Sequence, residues 1–212
     1  MNHVVQKVTA FVVQTRGGRE HLLLFRHPQA GIQFPAGTVE EGESVSVAAV
    51  REAGEETGLK YLTVRRHLGH IENELKPGEA ILATTTHLYA DKACSEPSTR
   101  KPLARGVTVE LVSTDGGVCS ISYSEYDLNG AVATLINQVA GWVPQERVAT
   151  VKERYFVLVD AADVTNNEWE VPSDHGHVFR PFWVPLGSIP DIVEAQRPWL
   201  GWLYDKLPID AA

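Results

Sequence analysis

The sequence predicts an α+β fold whose middle section contains strands only. Residues 4–14 are rich in β-branched and aromatic side chains, and residues 21–26 repeat this composition after a Gly-Gly pair, so the two segments predict a β-hairpin. Residues 37–59 then combine a loop with a helical pattern of apolar and acidic side chains. Between residues 83 and 150, short strand-like runs alternate with turns, which predicts a small all-β insertion.

The length and composition are typical of a folded protein without a membrane segment. At 212 residues the chain exceeds the commonest domain size of about 100–150 residues, so one domain with an insertion and two domains both fit. Hydrophobic residues make up 43% and charged residues 22%, and no run approaches the roughly 18 apolar residues of a membrane span. The net charge of −8 argues against nucleic acid and membrane partners, whereas a small anionic substrate fits if a bound cation reverses the local field.

The beginning of the sequence and the two cysteines predict a cytoplasmic protein. The first residues lack the charged region, apolar core and cleavage site of a signal peptide. Cys94 and Cys119 are too few for a disulfide framework and have no metal-binding spacing. We therefore expect both to be reduced thiols.

Residues 44–59 predict a helix with well-marked ends. Ser44 or Ser46 can cap its first turn, and Gly58 provides a left-handed stop. The apolar side of the helix is formed by Val45, Ala49, Val50 and Ala53. The two small alanines would let the helix approach a sheet closely.

Three acids share one face of this helix. Glu52, Glu55 and Glu56 stand at i, i+3 and i+4, so their carboxylates leave from one side and converge. Like charges at this spacing cost about 0.2–0.5 kcal/mol per pair in water, whereas Mg²⁺ takes oxygen ligands and completes its shell with water and substrate phosphates. A metal site and a solvated acidic surface helix are the two interpretations, and the fixed residues around the acids favour the metal site.

Residues 37–59 resemble the signature of the Nudix hydrolases. That signature reads Gly-x5-Glu-x7-Arg-Glu-U-x-Glu-Glu-x-Gly-U, with U a bulky aliphatic residue, and Ala53 alone is smaller than usual here. Its fixed positions are filled by Gly37, Glu43, Arg51, Glu52, Glu55, Glu56 and Gly58. The resemblance implies an α/β/α sandwich with a mixed sheet. It also implies Mg²⁺-dependent cleavage of the diphosphate linkage in a nucleoside diphosphate derivative, with Mn²⁺ as an alternative metal.

The resemblance further implies roles for the residues of the signature. Glu52, Glu55 and Glu56 would ligate the metal together with the backbone carbonyl of Ala36. One of these glutamates, or an acid from a later loop, would orient or deprotonate the attacking water. Arg51 would orient a neighbouring glutamate through an ion pair, the alternative being direct contact with phosphate.

Candidate substrate contacts lie outside the signature. Arg26 and His27 end a predicted strand and could contact phosphate, and Phe34 could stack on a base, with core packing as the alternative for this ring. In the late loop, Trp169 offers the same two alternatives. Further candidates in that loop, for an extra acid or a group that reads the substrate, are Glu170, Asp174 and His175.

The segment 83–150 resembles a bacterial Src-homology-3-like small barrel. Residues 107–112 and 118–123 predict a hairpin across a Gly-Gly turn, and a Gly-Trp-Val-Pro element follows at residues 141–144. A plain β-rich excursion is the alternative. The predicted domain organisation is a Nudix first part over residues 1–82, the insertion over 83–150 and a Nudix second part over 151–212.

The remaining segments predict elements that complete the first fold. These are an extended segment over residues 61–75, a buried strand over 151–159, a strand over 178–186 and a closing helix over 190–207 despite Pro198. Within the insertion, residues 129–140 predict a loop or one short helix.

Three functions compete at this stage. The intact acidic triad favours a hydrolase of a nucleotide sugar, ADP-ribose or nucleoside triphosphate class of substrate over a non-catalytic nucleotide sensor on the same fold. An isoprenoid diphosphate isomerase would need a reactive cysteine, and both cysteines lie in the predicted insertion. A small-molecule nucleotide is the expected partner, and a homodimer is left open.

Overall fold

The computed structural model describes residues 4–128, 132–172 and 177–206. Two compact units are distinguished. One consists of Val8–His70 with Tyr155–Ala212, and the other of Met1–Lys7 with Ile71–Arg154.

Strands dominate the described chain, which confirms the α+β class with few helices. In chain order the strands are β1 (Val4–Arg16), β2 (Arg19–His27), β3 (Gly31–Gln33), β4 (Ala36–Thr38), β5 (Leu62–Ile71), β6 (Glu79–Leu82), β7 (Thr108–Asp115), β8 (Val118–Asp127), β9 (Thr134–Pro144), β10 (Val148–Ala149), β11 (Val151–Ala161), β12 (Val171–Pro172) and β13 (Val178–Pro185). The α-helices are α1 (Val45–Thr57) and α2 (Leu200–Tyr204). No helix in the described ranges is both long enough and apolar enough to cross a membrane.

The larger sheet has the strand order β12-β13-β2-β1-β11-β5, with β3 paired to β2 and β4 paired to β1. The predicted hairpin is confirmed, because β1 and β2 pair antiparallel from Val13 opposite Leu22 to Arg16 opposite Arg19. β13 pairs antiparallel with the other edge of β2. The short β3 and β4 lead directly into the loop before α1.

α1 covers one face of this sheet. Ala49 and Ala53 of the helix share a buried cluster with Leu23 of β2 and Trp183 of β13, so the small side chains do permit close packing. Because alternate residues of a strand face opposite sides, odd-numbered residues of β2 and β13 near this cluster point towards α1, and even-numbered ones point away.

The opposite face is covered by the C-terminal segment. Phe156 of β11 stacks on Trp202 with ring centroids 5.1 Å apart and contacts Trp199 at 6.0 Å. Gly69 of β5 leaves the room for this packing, since a Cβ at that position would lie 2.3 Å from the Trp202 ring.

This C-terminal segment differs from the single helix predicted over residues 190–207. Glu194–Trp199 form a 3-10 helix, and only α2 is α-helical. Pro198 lies inside the 3-10 segment and has no N–H to donate, so a regular α-helix cannot run through it. Leu207 lies outside the described residues.

The smaller sheet has the strand order β10-β6-β7-β8-β9. Its core is a separate buried cluster that includes Leu82, Val109, Ile121 and Val143. The expectation of a loop or short helix over residues 129–140 is wrong for residues 134–140. These residues belong to β9, which begins at Thr134 and pairs with β8. β-branched and aromatic residues in β9 pack better on a pleated sheet than in a helix.

Candidate active site

The ends of α1 are fixed by its flanking residues. Ser44 has extended backbone angles, and its hydroxyl accepts a hydrogen bond from the Val47 N–H at 3.3 Å. Of the two predicted caps, Ser44 is therefore the one used, whereas the Ser46 hydroxyl lies 2.8 Å from Nε2 of His67. Gly58 ends the helix with a φ of 73°, and its N–H donates to the Gly54 carbonyl. The predicted helix and its stop are confirmed.

Arg51 binds several groups around the first part of the signature. Its Nε and Nη2 donate to the two oxygens of Glu43, each at 3.0 Å, and Nη2 also donates to the Thr38 carbonyl at 2.9 Å. Its Nη1 lies 3.0 Å from a carboxylate oxygen of Glu52 and 3.0 Å from one of Glu55. The hydrogen bond from Arg51 lowers the pKa of Glu43, and the pKa of Arg51 is raised chiefly by that same bond.

Glu52 is held against the strand that precedes the helix. Its Oε1 accepts the Thr38 N–H at 3.0 Å. A Cβ at Gly37 would lie 1.9 Å from Cδ of Glu52, so glycine is needed at position 37 to make room for this carboxylate. Only 14% of the Glu52 side chain is exposed, and burial raises its pKa even though the Arg51 guanidinium opposes the shift.

Glu56 lies beside Glu52 on the same strand. Its Oε2 accepts the Ala36 N–H at 2.9 Å, so two carboxylates four residues apart on α1 bind alternate backbone amides of β4. Glu55 instead is 61% exposed and is paired with Arg51. The same guanidinium nitrogen therefore joins Glu52 and Glu55, and the β4 amides join Glu52 and Glu56. Convergence of all three acids on one metal ion stays a prediction.

No group of three or more His, Cys, Asp or Glu side chains within residues 4–128, 132–172 and 177–206 is arranged to hold a metal ion. The donor chemistry nevertheless fits a hard divalent cation. Glu52, Glu55 and Glu56 offer carboxylate oxygens, and Ala36 offers a backbone carbonyl. The buried Glu52 carboxylate, whose pKa is raised by burial, would gain most from such a cation.

Arg26 and His27, the two predicted phosphate contacts on β2, point to opposite faces of the sheet. The Arg26 guanidinium stacks over Phe182 at 4.4 Å from the ring centroid, and Arg26 lies opposite Arg180 of β13. His27 faces Phe179, with ring centroids 5.2 Å apart. Residues on one strand alternate in direction, so only His27 is on the side that carries α1.

The imidazole of His27 is fixed in one tautomer. Its Nδ1 accepts the N–H groups of Gln29 at 3.1 Å and Ala30 at 3.0 Å, so the proton of the neutral ring is on Nε2. Burial, and secondly the nearby His177, lower the pKa of His27. His27 is therefore a neutral ring with one N–H left to donate.

The other predicted substrate contacts have different outcomes. Phe34 is fully buried and packs edge-on against Phe11 at 4.9 Å, so the prediction that it stacks on a base is wrong: the ring is part of the core. Glu170 is exposed and paired with Arg180 at 3.0 Å. Asp174 and His175 lie outside the described residues.

Trp169 makes a contact with the helix that sequence reasoning missed. Its Nε1–H donates to the Thr57 carbonyl at 2.7 Å. Val171 lies next to the end of the helix as well, because a Cβ at Gly58 would be 3.3 Å from its side chain. No local pattern signals these contacts, which join residues more than a hundred positions apart.

Comparisons with known proteins give one family and two remote structures. The family model described as the NUDIX domain matches residues 5–111. No curated protein matches the chain. The crystal structure of UDP-X diphosphatase aligns with a TM-score of 0.47 and 12% identity over 97% of this chain and 63% of that one. The crystal structure of the Ap4A hydrolase of C. elegans aligns with a TM-score of 0.41 and 15% identity, over 95% of this chain and 99% of that one.

Proposed function

The chain belongs to the NUDIX family, whose model matches residues 5–111 of its 212, and we propose that it is a Mg²⁺-dependent pyrophosphohydrolase. Its substrate would be a nucleoside diphosphate derivative, cleaved at the diphosphate linkage. The observation that supports this proposal most strongly is the pair of carboxylates, Glu52 and Glu56, held side by side against β4. Family membership supports hydrolysis of a pyrophosphate bond, while the nucleotide and its leaving group stay open.

Each residue of the proposed site has a distinct role. Glu52 and Glu56, with the Ala36 carbonyl, present oxygen ligands, and the exposed Glu55 is the third carboxylate of the set once it leaves Arg51. A bound Mg²⁺ neutralises charge on the phosphate oxygens and acidifies a water; Mn²⁺ offers the same oxygen chemistry. Arg51 positions Glu43, Glu52 and Glu55 and needs no contact with substrate.

His27 is the best-placed phosphate contact of those predicted. It lies on the α1 face of the sheet, and its Nε2–H is a fixed donor. A neutral donor can hydrogen-bond a phosphate oxygen without competing for the cation. Arg26 would have to reach round the strand end to join it. Glu170, Asp174 and His175 stay proposed contacts on the strength of the sequence.

A non-catalytic nucleotide sensor is the second candidate function. It is favoured by one observation: the β4 amides and Arg51 already bind carboxylate oxygens of Glu52, Glu55 and Glu56. A sensor would bind nucleotide without turning it over.

The deciding experiment incubates the protein and Mg²⁺ with nucleoside triphosphates, nucleotide sugars, ADP-ribose and dinucleoside polyphosphates. We expect one of these classes of substrate to release a nucleoside monophosphate or inorganic phosphate. Tight nucleotide binding without any product would favour the sensor. If the folded protein neither binds a nucleotide nor releases a product, both candidate functions are excluded.

We also propose that residues 83–150 form an inserted Src-homology-3-like barrel between Nudix segments 1–82 and 151–212. Four of the five antiparallel strands of the smaller sheet lie within this segment and share a separate core, which supports a β-rich insertion, while β6 (Glu79–Leu82) directly precedes it. A plain β-rich excursion is the alternative, and pairing of β9 with β10 would distinguish the barrel from it. Both cysteines are free thiols, which supports the proposed cytoplasmic location.

A homodimer is the last proposal from the sequence. The end of the β8–β9 hairpin exposes the apolar side chains Tyr126, Leu128, Val132, Leu135 and Ile136. Residues 128–144 contain no charged residue, so two copies could meet here without like-charge repulsion despite the net charge of −8. Exposed apolar side chains on an edge strand favour association with another chain.

A further inference from the structure

We infer that Trp169 is a positioning residue that fixes the last turn of α1 and, through that turn, the carboxylate of Glu56. The inference rests on the proposed function, because it assigns Trp169 a role in holding a metal-binding glutamate. Trp169 acts through the Thr57 carbonyl, to which its Nε1–H donates at 2.7 Å.

The indole closes an otherwise open helix end. The last four carbonyls of an α-helix have no donor within the helix. Gly58 N–H satisfies the Gly54 carbonyl, and Trp169 Nε1–H satisfies that of Thr57 at 2.7 Å. Thr57 is buried, so this hydrogen bond forms away from bulk water. It takes the place of a hydrogen bond from a mobile water molecule to the Thr57 carbonyl.

The backbone of the Trp169 segment is hydrogen-bonded to β13. Its backbone N–H donates to the Pro181 carbonyl at 3.1 Å, and the N–H of Trp183 donates to the Asn167 carbonyl at 2.9 Å. The ring packs against the buried cluster that contains Ala53 and Leu59. The donor is therefore anchored to the sheet through β13, and the helix end is anchored to the donor.

The helix end transmits this constraint to the site. Glu56 directly precedes Thr57, and its carboxylate reaches the Ala36 N–H at 2.9 Å. Val171 of β12 lies beside the next residue, Gly58, where an added Cβ would be 3.3 Å from its side chain. Movement of the Thr57 carbonyl must therefore shift the backbone from which the Glu56 side chain extends.

The acids on either side of Trp169 do not share this position. Strand alternation along the segment that pairs with β13 directs Trp169 and Val171 towards α1, and Glu168 and Glu170 away from it. Glu170 accordingly pairs with Arg180. Among residues 168–171, the aromatic Trp169 rather than an acid bonds to the carboxylate helix.

The test removes the indole N–H while keeping an aromatic side chain. Trp169→Phe frees the Thr57 carbonyl, and substitution of Trp169 by benzothienylalanine does the same with an unchanged ring shape, should the phenylalanine variant fold poorly. The matched control is Trp183→Phe, which removes an indole hydrogen bond of 3.0 Å to Thr165 Oγ1 in the same core. The Trp183 ring also packs in the cluster that contains Ala53 and lies 6.4 Å from the Trp169 ring, so this control reproduces the change in packing without removing the hydrogen bond to the Thr57 carbonyl.

Three measurements separate positioning from general stability. Trp169 acts on Glu56 only through the Thr57 carbonyl, so its loss should cost less than the loss of a direct partner of a metal ligand. We expect the Mg²⁺ concentration at half-maximal thermal stabilisation to rise by up to about 10-fold in both Trp169 variants, the lower end of the range for direct partners. In metal-free protein, amide exchange at residues 56–59 should accelerate. For active protein, kcat should fall and KM should stay near the wild-type value. Trp183→Phe should lower the melting temperature and leave these other quantities unchanged.

The outcomes distinguish this inference from the proposed function. Equal Mg²⁺ midpoints and equal exchange at residues 56–59 in wild type and the Trp169 variants would overturn the positioning role, whatever the activity. Wild-type protein that shows no hydrolysis and no stabilisation by Mg²⁺ would instead overturn the proposed function. Midpoints raised equally by Trp169→Phe and Trp183→Phe would show a structural role only.

Discussion

Gly37 shows how one residue determines the shape of the candidate site. The sequence identifies it as part of a signature, but its role is spatial: the missing side chain leaves the volume that the Glu52 carboxylate fills. Phe34 shows the limit of the same kind of reasoning, because an aromatic residue near a signature can stack on a base or fill the core. Only the fold, which buries it against Phe11, decides.

Gly37→Ala should displace Glu52 from the Thr38 amide. The added Cβ would lie within 2.1 Å of both carboxylate oxygens. We therefore expect Mg²⁺ affinity and activity to fall by about 10–100-fold, and the free energy of unfolding to decrease as well. Gly187→Ala is the matched control, because a Cβ there meets nothing within 4 Å. Equal behaviour of the two variants in a Mg²⁺ titration would contradict this account of Gly37.

His27 should contribute to the pH dependence of stability. Its pKa in the folded protein lies below the usual 6.5, so as the pH falls below 6.5 the unfolded chain takes up this proton before the folded protein does, and the free energy of unfolding decreases. His27→Asn places an acceptor near the former Nδ1 but cannot titrate. It should therefore weaken the loss of stability between pH 7 and pH 5 in urea unfolding. An unchanged profile for His27→Asn would refute this assignment.

At the scale of elements, α1 and the β1–β2 hairpin follow from local pattern, and the C-terminal segment does not. The helix has a cap, an apolar side and a glycine stop within one continuous stretch, and the hairpin has two β-rich runs around a Gly-Gly turn. By contrast, β9 is a strand because β8 lies beside it, and the Trp169–Thr57 contact depends on how distant segments pack. Interactions between distant residues leave no periodicity to recognise.

The N-terminus of α1 offers a test at this scale. The sequence allowed two caps, and the structure uses Ser44, so Ser44→Ala should lower the free energy of unfolding by about 1 kcal/mol. Ser46→Ala removes the exposed contact with His67 and should cost less. Urea unfolding of both variants measures the difference, and a larger cost for Ser46→Ala would show that the cap is misassigned.

At the scale of the whole molecule, the sequence determines the family and leaves the assembly open. The signature supports the proposed reaction class because it specifies charge and backbone shape, whereas the substrate is selected by loops and the assembly by surfaces. The exposed apolar end of the β8–β9 hairpin is the surface on which the proposed homodimer depends.

Ile136→Lys should convert the proposed dimer into a monomer, because it places a charge in the apolar contact of both copies. Val164→Lys is the control, since Val164 is also an exposed apolar residue but lies far along the chain from this hairpin. Light scattering coupled to gel filtration should give twice the monomer mass for wild type and Val164→Lys. A wild-type monomer at every concentration would exclude the dimer.

The central claim is that the carboxylates held against β4 perform Mg²⁺-dependent cleavage of a pyrophosphate bond. It is tested most directly by measuring product release from the substrate panel with wild type, Glu52→Gln, Glu56→Gln and Glu110→Gln, the last removing an exposed carboxylate from β7. We predict Mg²⁺-dependent turnover by wild type and Glu110→Gln, and a loss of at least about 100-fold in both site variants. Full activity of Glu56→Gln or Glu52→Gln, or no turnover of any substrate by folded wild type, would contradict the claim.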